Sequence, residues 1–279
     1  MARKFFLLGE SLGHTMSPPI HRKLFELSGK GGDYGTIELP VEKLVDYAQS
    51  FKSYKGYNIT IPHKINIIPF LDKIDSTASR YGAVNCVNNE NGISTGYNTD
   101  VFGFLRSLEA AGEKLEGKVL LVGCGGAGRM MGMEVCLAGA ELTIAVRKGS
   151  LLKAEKLKTD ILKIKPDARI EATEIGNING NFHILINSTP VGMYPHTEEC
   201  PVDDNVIKSC DCVFDAIYNP VETLLIRKAR AFGKNAIGGM AMLVWQAVAA
   251  HEIWDSAEYR EEDISSLICE IQDKVKRDF

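Results

Sequence analysis

The chain alternates between two hydrophobic patterns. Short apolar runs such as Phe5–Leu8, Val119–Val122 and Ile184–Ile186 predict buried strands, because they are too short for buried helices. Longer stretches with apolar residues every three or four positions, such as Leu151–Lys163 and Glu261–Lys276, predict amphipathic helices. Since strands and helices alternate over most of the chain, the pattern predicts an α/β protein.

Residues 1–100 are predicted to form a sheet with at least one antiparallel pair. The segments Ala83–Val87 and Ile93–Tyr97 read as strands, and Asn91-Gly92 between them is typical of a tight hairpin. The other predicted elements of this part are strands at Asp33–Leu39 and Gly56–Pro62, a helix that starts at the Ser17-Pro18 pair and runs to about Ser28, and helices at Val41–Phe51 and Asp72–Tyr81. This mixture predicts a mixed sheet.

A glycine-rich loop follows the predicted strand Lys118–Val122. Gly123, Gly125 and Gly128 fit the spacing G-x-G-x-x-G, and a helix and a second strand, Glu141–Val146, come after them. In such a unit the glycines allow a tight turn, close approach of the backbone to a pyrophosphate, and close packing of helix and strand. The context favours a Rossmann-type nucleotide site over an ordinary glycine-rich turn.

Two basic residues, Arg147 and Lys148, end the second strand of this unit. A Rossmann domain that selects NAD places an acid there for the ribose hydroxyls, whereas the 2′-phosphate of NADP calls for positive charge. The pair therefore predicts NADP; the alternative is a solvated basic turn.

Several polar residues stand at predicted element ends in residues 1–100. Thr15 and Ser17 are predicted to alternate on an extended segment before a helix, where their hydroxyls either bind a carboxylate or only cap the helix. Lys64 follows a strand stopped by Pro62 and lies either at a site or on the solvated surface.

A second polar group surrounds the hairpin. Asn85, Asn98 and Asp100 all lie around the ends of neighbouring strands, so one pocket can gather them, although Asp100 has the alternative role of a helix cap. Gln246 interrupts the apolar face of a long C-terminal helix and is either exposed or a hydrogen-bonding group of a pocket.

Composition narrows the function classes. The 279 residues, 45% of them hydrophobic, suffice for two domains, and a net charge of −4 gives no electrostatic case for nucleic acid or an anionic membrane. The seven cysteines are odd in number and lack metal-ligand spacing, which favours reduced thiols in the cytoplasm over zinc. The short apolar run at the N-terminus reads as a first strand rather than a signal peptide.

The order of the motifs resembles the shikimate dehydrogenase family over nearly the whole chain. The motifs that carry the resemblance are the Gly9–His21 loop, Asn58–Lys64, Gly82–Asn85, Gly96–Asp100, the glycine loop, Asn187–Met193, Tyr218-Asn219-Pro220 and the helix start Met240–Gln246. The resemblance implies a substrate domain of residues 1–100 completed by helices in 239–279, and a Rossmann domain of residues 101–238.

The resemblance also implies an activity and its residues. The reaction would be reversible NADPH-dependent reduction of 3-dehydroshikimate to shikimate in aromatic amino-acid biosynthesis, by a cytoplasmic monomer or homodimer. Lys64 and Asp100 would be catalytic, and which of the two moves the proton is open. Thr15, Ser17 and Tyr218 would bind the substrate carboxylate, and Thr60, Asn85 and Gln246 the ring hydroxyls. The cofactor set would be Gly123, Gly125, Gly126, Ala127, Gly128, Arg147, Lys148, Thr189, Met193 and Gly239.

Some positions depart from the family pattern. Thr15 stands where the family usually has serine, Val101 replaces a usual glycine, and His251 stands where phenylalanine is common. Val146 and Lys148 replace the asparagine and threonine that usually flank Arg147. The first two changes keep a quinate/shikimate dehydrogenase of broader specificity open. A non-catalytic nucleotide-binding regulator on the same fold is the alternative from another class, and retention of Lys64 and Asp100 argues against it.

Overall fold

The structure is a computed structural model that describes residues 3–13 and 15–278. The chain divides into two compact units: unit 1 is Met1–Gly103 with Val244–Ile271, and unit 2 is Phe104–Leu243 with Gln272–Phe279. This division does not test the domain boundaries predicted at residues 100 and 238, which remain a prediction. Within the described ranges, no helix is long and apolar enough to cross a bilayer.

Unit 1 is built on a six-stranded mixed sheet. Its strands are β1 (Lys4–Gly9), β2 (Asp33–Glu38), β3 (Gly56–Ile59), β4 (Lys73–Ile74), β5 (Cys86–Glu90) and β6 (Ile93–Tyr97). Its helices are α1 (Ser17–Ser28), α2 (Leu44–Tyr47), α3 (His63–Asn66), α4 (Ser76–Tyr81) and the start of α5 (Asp100–Ala110). The strand order is β2-β1-β3-β5-β6-β4, and β5 runs antiparallel to both of its neighbours. The predicted mixed sheet is confirmed.

The first strand of unit 1 is buried on both faces. Because side chains alternate across a strand, Phe5 packs with Phe25 and Trp254 on one face of the sheet, and Phe6 packs with Tyr57 on the other. This double burial explains why the strand reads as a continuous apolar run instead of an alternating one.

The single helix predicted over Val41–Phe51 is wrong. The segment forms a 3₁₀ turn at Val41–Lys43, the short helix α2, and a second 3₁₀ segment at Ala48–Ser53. The hydroxyl of Ser50 donates to the carbonyl of Tyr47 at 2.6 Å, and the hydroxyl of Ser53 donates to the carbonyl of Ser50 at 2.7 Å. Serine side chains therefore compete with the backbone for the carbonyls that a regular helix needs.

Unit 2 is built on a six-stranded sheet whose strands are all parallel. Its strands are β7 (Lys118–Val122), β8 (Glu141–Val146), β9 (Ile170–Glu174), β10 (Phe182–Asn187), β11 (Cys210–Asp215) and β12 (Asn235–Gly238). Its helices are α6 (Gly126–Leu137), α7 (Leu151–Ile164), α8 (Asp204–Lys208) and α9 (Leu224–Ala231). Two more, α10 (Met240–Asp255) and α11 (Glu261–Asp278), each have residues in both units.

The strand order of unit 2 is that of a Rossmann fold. Read from one edge it is β9-β8-β7-β10-β11-β12, which is the order 3-2-1-4-5-6 of doubly wound nucleotide-binding sheets. Ligands of such sheets bind at the carboxyl ends of the strands where the order reverses. In this chain the order reverses between β7, which leads into the glycine loop, and β10, which leads into Ser188–Met193.

The short helix α8 was missed in the sequence. Asp203 precedes it, and the Asp203 carboxylate accepts hydrogen bonds from the backbone N–H groups of Asn205 and Val206 at 2.9 and 3.0 Å. An aspartate before an apolar pair is a capping signal that could have indicated the helix.

Candidate active site and nucleotide loop

A lysine and an aspartate form an ion pair in unit 1. Lys64 Nζ donates to Asp100 Oδ2 at 2.6 Å, and the two side chains are 31% and 21% exposed. Lys64 lies on α3, which follows β3 and Pro62, and its carbonyl accepts a hydrogen bond from Val84 N at 2.8 Å. Asp100 begins α5 after β6. The pair is thus reachable by a small molecule but fixed by secondary structure on both sides.

Asn85 occupies the other oxygen of Asp100. Its Nδ2 donates to Asp100 Oδ1 at 2.8 Å, and its Oδ1 accepts from the backbone N–H of Thr99 at 2.6 Å. The β5–β6 hairpin brings these residues together, since Asn85 N bonds to the carbonyl of Tyr97 at 3.0 Å. Asp100 N also bonds to Asn98 Oδ1 at 3.1 Å. Both carboxylate oxygens of Asp100 therefore accept hydrogen bonds from side chains of the protein.

Thr99 extends this cluster to the C-terminal helix. Its buried hydroxyl accepts from Asn85 Nδ2 at 3.0 Å and lies 3.5 Å from Gln246 Oε1 on α10. Gln246 is 9% exposed, so it belongs to the cluster and not to the solvated surface. Thr99 was not among the predicted site residues, although its position between Asn98 and Asp100 was a signal that could have identified it.

Thr15 and Ser17, the residues predicted to bind the substrate carboxylate, lie differently at the start of α1 than the sequence predicts. Ser17 is the first residue of α1, and its backbone N–H donates to Thr15 Oγ1 at 3.2 Å. Met16, and not Ser17, is therefore the residue before the helix, and its backbone is helical instead of extended. The prediction that Thr15 and Ser17 both precede the helix on an extended segment is wrong. Pro18 explains the start, because proline is tolerated in the first helical turn.

Thr60 follows β3 directly. Its backbone N–H donates to the carbonyl of Leu8 at 2.8 Å, and its methyl group lies 2.8 Å from where a side chain on Gly9 would begin. In the described part of the chain, no hydrogen bond joins Thr15, Ser17 or Thr60 to the cluster of Lys64, Asn85 and Asp100.

The glycine loop of unit 2 has the shape that the sequence predicted. Gly123 has a φ of +100°, a region that favours glycine, and a side chain on Gly128 would begin 2.6 Å from Ser188 Oγ and 2.9 Å from the carbonyl oxygen of Gly123. Gly125 and Gly126, by contrast, have open space beside them, and with Ala127 they are exposed at the start of the twelve-residue helix α6. The loop therefore presents bare backbone where a pyrophosphate would lie, so it fits a dinucleotide.

The basic pair lies at the expected place beside the loop. Arg147 and Lys148 are exposed and follow β8, which is parallel to β7 with Ala145 opposite Val122. No acid stands at this strand end, since Gly149 and Ser150 follow. Exposed cations at this position suit a 2′-phosphate.

The other predicted residues of unit 2 lie in loops after β10, β11 and β12. Thr189 Oγ1 donates to Asn187 Oδ1 at 2.7 Å, and Met193 is 45% exposed. Tyr218 is half-buried, and burial raises the pKa of its phenol. Gly239 packs so closely on the carbonyl of Ala216 that a side chain has no room there. Each loop follows the carboxyl end of a parallel strand, the edge where such sheets bind ligands.

Two features together indicate the class of protein. Unit 2 has a Rossmann-type sheet with a bare glycine loop, and unit 1 carries the fixed Lys64–Asp100 pair. This combination is typical of nicotinamide-dependent oxidoreductases. The model of the shikimate dehydrogenase substrate-binding domain matches residues 7–87. An NADP-dependent shikimate dehydrogenase of Methanococcus maripaludis is 39% identical over 253 residues, which cover 89% of this chain and 90% of the relative. The chain belongs to the shikimate dehydrogenase family.

Two solved structures show the same architecture. Shikimate dehydrogenase of Thermus thermophilus, in complex with NADP(H) and shikimate, has a TM-score of 0.86 at 28% identity and covers 96% of this chain and 99% of that one. The ligand-free 5-ketofructose reductase of a Gluconobacter strain has a TM-score of 0.84 at 29% identity and covers 97% and 99%. The likeness to a reductase named for another substrate means that this fold alone does not determine the substrate, which depends on the residues of the site.

Proposed function

We propose that this protein catalyses the reversible, NADPH-dependent reduction of 3-dehydroshikimate to shikimate. The observation that carries the proposal is the cluster of Lys64, Asp100 and Asn85, in which an ammonium, a carboxylate and an amide are fixed within hydrogen-bond distance. The Lys64 and Asp100 side chains remain partly exposed, and Asn85 is buried behind them. Membership of the shikimate dehydrogenase family supports the choice of substrate.

Lys64 is the proton donor in this proposal. Reduction of a ketone develops negative charge on its oxygen, and an ammonium near that oxygen stabilises the charge and then supplies a proton. Asp100 orients the ammonium, since each of its oxygens already accepts a hydrogen bond, one from Lys64 and one from Asn85. When bound, NADPH supplies the hydride.

The remaining substrate residues divide by chemistry. We propose that the hydroxyls of Thr15, Ser17 and Tyr218 bind the carboxylate, and that Thr60, Asn85 and Gln246 bind the ring hydroxyls. A site of polar side chains discriminates strongly, because an analogue lacking a hydroxyl leaves a partner unpaired, a penalty of up to about 10⁴-fold in such sites. Thr15 Oγ1 already accepts from Ser17 N, and it keeps a hydrogen that can be donated to a carboxylate.

The cofactor residues act by backbone and charge. Gly125, Gly126, Ala127 and Gly128 would present backbone N–H groups to the pyrophosphate around the start of α6, and Gly123 would provide the tight turn before them. Arg147 and Lys148 would pair with the 2′-phosphate, and Thr189, Met193 and Gly239 would line the loops around the nicotinamide half. We also propose a cytoplasmic enzyme without nucleic-acid or membrane partners, and a monomer or homodimer.

The methyl group of Thr15 supports one second candidate, a quinate/shikimate dehydrogenase. Thr15 is half-buried, so this methyl changes the room beside the substrate carboxylate, where quinate carries an extra hydroxyl. The test compares turnover of shikimate and quinate, each with NADP and with NAD, by the absorbance of the reduced nicotinamide. Turnover of shikimate at least tenfold above quinate supports the first proposal, and comparable rates support the second. Absence of turnover with every pair refutes both and favours the non-catalytic regulator.

A further inference from the structure

Asp215 is a carboxylate that unit 2 buries completely. It is the last residue of β11 and is 0% exposed. Thr223 Oγ1 donates to its Oδ2 at 2.6 Å, while the backbone N–H of Ile217 and Nδ2 of Asn187 both donate to its Oδ1, at 3.1 and 3.0 Å. A buried acid with three donors is a built arrangement, and no role assigned above requires it.

Asn187 connects Asp215 to the loop after β10 by hydrogen bonds. Its Oδ1 accepts from both the backbone N–H and the hydroxyl of Thr189, at 3.0 and 2.7 Å. Its carbonyl accepts from Ala216 N at 3.0 Å, which ties the two neighbouring loops together. On the other side, Ile217 directly precedes Tyr218. One carboxylate is therefore connected to Thr189 and, through the backbone, to Tyr218.

We propose that Asp215 is a positioning residue that holds the Ser188–Met193 and Ala216–Pro220 loops in the geometry needed for NADP and substrate. The inference rests on the proposed function, because Thr189 and Tyr218 are ligand residues only there. Oδ1 of Asp215 carries the bonds to the loops, whereas Oδ2 faces Thr223, whose hydroxyl also accepts from Ile226 N at 3.3 Å at the start of α9. The two oxygens thus serve different elements.

The positioning role of Asp215 should depend on pH, because protonation changes the hydrogen bonds that its carboxylate accepts. Burial raises its pKa to about 6, against the opposing effect of its three hydrogen-bond donors. The half-buried Cys200 is close enough that the Asp215 charge adds to burial in raising the pKa of its thiol. A proton must go to Oδ2, because the N–H groups at Oδ1 cannot accept it while the Thr223 hydroxyl can rotate to do so. The loop bonds persist but lose their charge-assisted strength as the pH falls through about 6.

Hydrogen exchange of the ligand-free protein tests the anchoring directly. Asp215→Ala removes the acceptor of the Ile217 amide and also frees the Asn187 side chain, which accepts from the Thr189 amide. Both amides should therefore exchange about tenfold faster at pH 7, as expected for the loss of a buried hydrogen bond. Asp215→Asn keeps an oxygen at this position and should stay within about threefold of the wild type. Asp204→Asn, which removes an exposed acid paired with Lys228 in the same unit, is the matched control and should change neither amide.

A pH profile separates positioning from simple structural support. The profile of kcat/KM for NADP should fall below about pH 6 in the wild type. In Asp215→Asn this fall of kcat/KM should disappear, except for the portion that comes from the 2′-phosphate of the cofactor, which titrates near pH 6. Thr223→Val should move this fall to higher pH, since it removes a donor to the ionised form. Unchanged exchange of Thr189 and Ile217 in Asp215→Ala, or identical profiles for the three proteins, would overturn the inference. An inactive wild type would refute the proposed function, and the exchange measurement would still decide the anchoring.

Discussion

Replacing Lys64 by alanine separates catalysis from folding. The Lys64–Asp100 pair is 2.6 Å long but its side chains are 31% and 21% exposed, so it contributes at most about 1 kcal/mol to the free energy of unfolding. A change of that size moves the melting temperature of a chain this long by about 2–4 °C. A general acid contributes about 10²–10⁴-fold to the rate, which is about 3–5 kcal/mol of the barrier. The effect on kcat should therefore exceed the effect on stability.

The assay is steady-state reduction of NADP by shikimate, combined with thermal melting of the same samples. Lys64→Ala should lower kcat by at least a hundredfold and change KM for shikimate by less than about threefold. Lys52→Ala is the matched control, because Lys52 forms a comparable ion pair with Asp72 at 2.8 Å elsewhere in unit 1, and its kcat should be unchanged. A Lys64→Ala protein that melts normally and keeps more than a tenth of its kcat would refute the role of Lys64.

Asp100→Asn extends this prediction to the partner of Lys64. The asparagine can keep an oxygen where Asp100 Oδ1 accepts from Asn85. Its NH₂ group would then replace Oδ2 and face the ammonium of Lys64, which it would displace. We expect a loss of kcat smaller than that of Lys64→Ala. The double variant should be no slower than Lys64→Ala alone, because the two residues act as a unit. Additive losses in the double variant would show that Asp100 acts independently.

Three further predictions concern the cofactor and the core. Arg147→Ala should raise KM for NADP by about tenfold or more and leave KM for NAD nearly unchanged, as measured by initial rates, because it removes a phosphate partner; equal effects on both cofactors would contradict this role. Gly128→Ala should weaken NADP binding measured by calorimetry and lower the melting temperature, since a Cβ at this position has no room, whereas Gly125→Ala has open space and should leave the melting temperature unchanged. Equal melting temperatures of the two variants would contradict the packing argument. Burial lowers the pKa of His251 to about 3 and that of His21 well below its ordinary value. The unfolded chain then takes up protons first, so stability is lost as the pH falls from about 6.5 towards 3. The free energy of unfolding, measured in urea, should fall between pH 7 and pH 5 by about 2 kcal/mol less in His251→Phe than in the wild type. An equal fall in both proteins would show that His251 is protonated in the folded state.

The repeating elements of the fold follow from local signals in the sequence. The Asn91-Gly92 hairpin forms because both positions need a positive φ, 52° and 77° in the structure, which asparagine and glycine tolerate. The strands β7 and β10 of unit 2 are predictable because their apolar runs are short and continuous, and the structure buries them on both faces, as is usual in a parallel sheet. The glycine loop was predictable for the same local reason, since its spacing encodes a turn and two close approaches.

The contacts of Asn85 and Asn98 with Asp100 follow from the strand ends, but the bonds that reach further across each unit could not be derived in this way. The bond from Thr99 to Gln246 joins residues 147 positions apart, and the bonds of Asp215 to Asn187 and Thr223 span 28 and 8 positions. Such contacts depend on which strands become neighbours, and no local pattern contains that information. The mistake at Thr15 and Ser17 has a related cause, because the first residue of a helix and its cap differ by a position that composition alone does not settle.

The most direct test of the proposed reaction is product formation from 3-dehydroshikimate and NADPH by the purified protein. Oxidation of NADPH is followed by absorbance, and the product is identified by chromatography against authentic shikimate. We expect one shikimate formed for each NADPH consumed, with loss of both signals in Lys64→Ala. Consumption of NADPH without formation of shikimate, or equal rates in the wild type and Lys64→Ala, would contradict it.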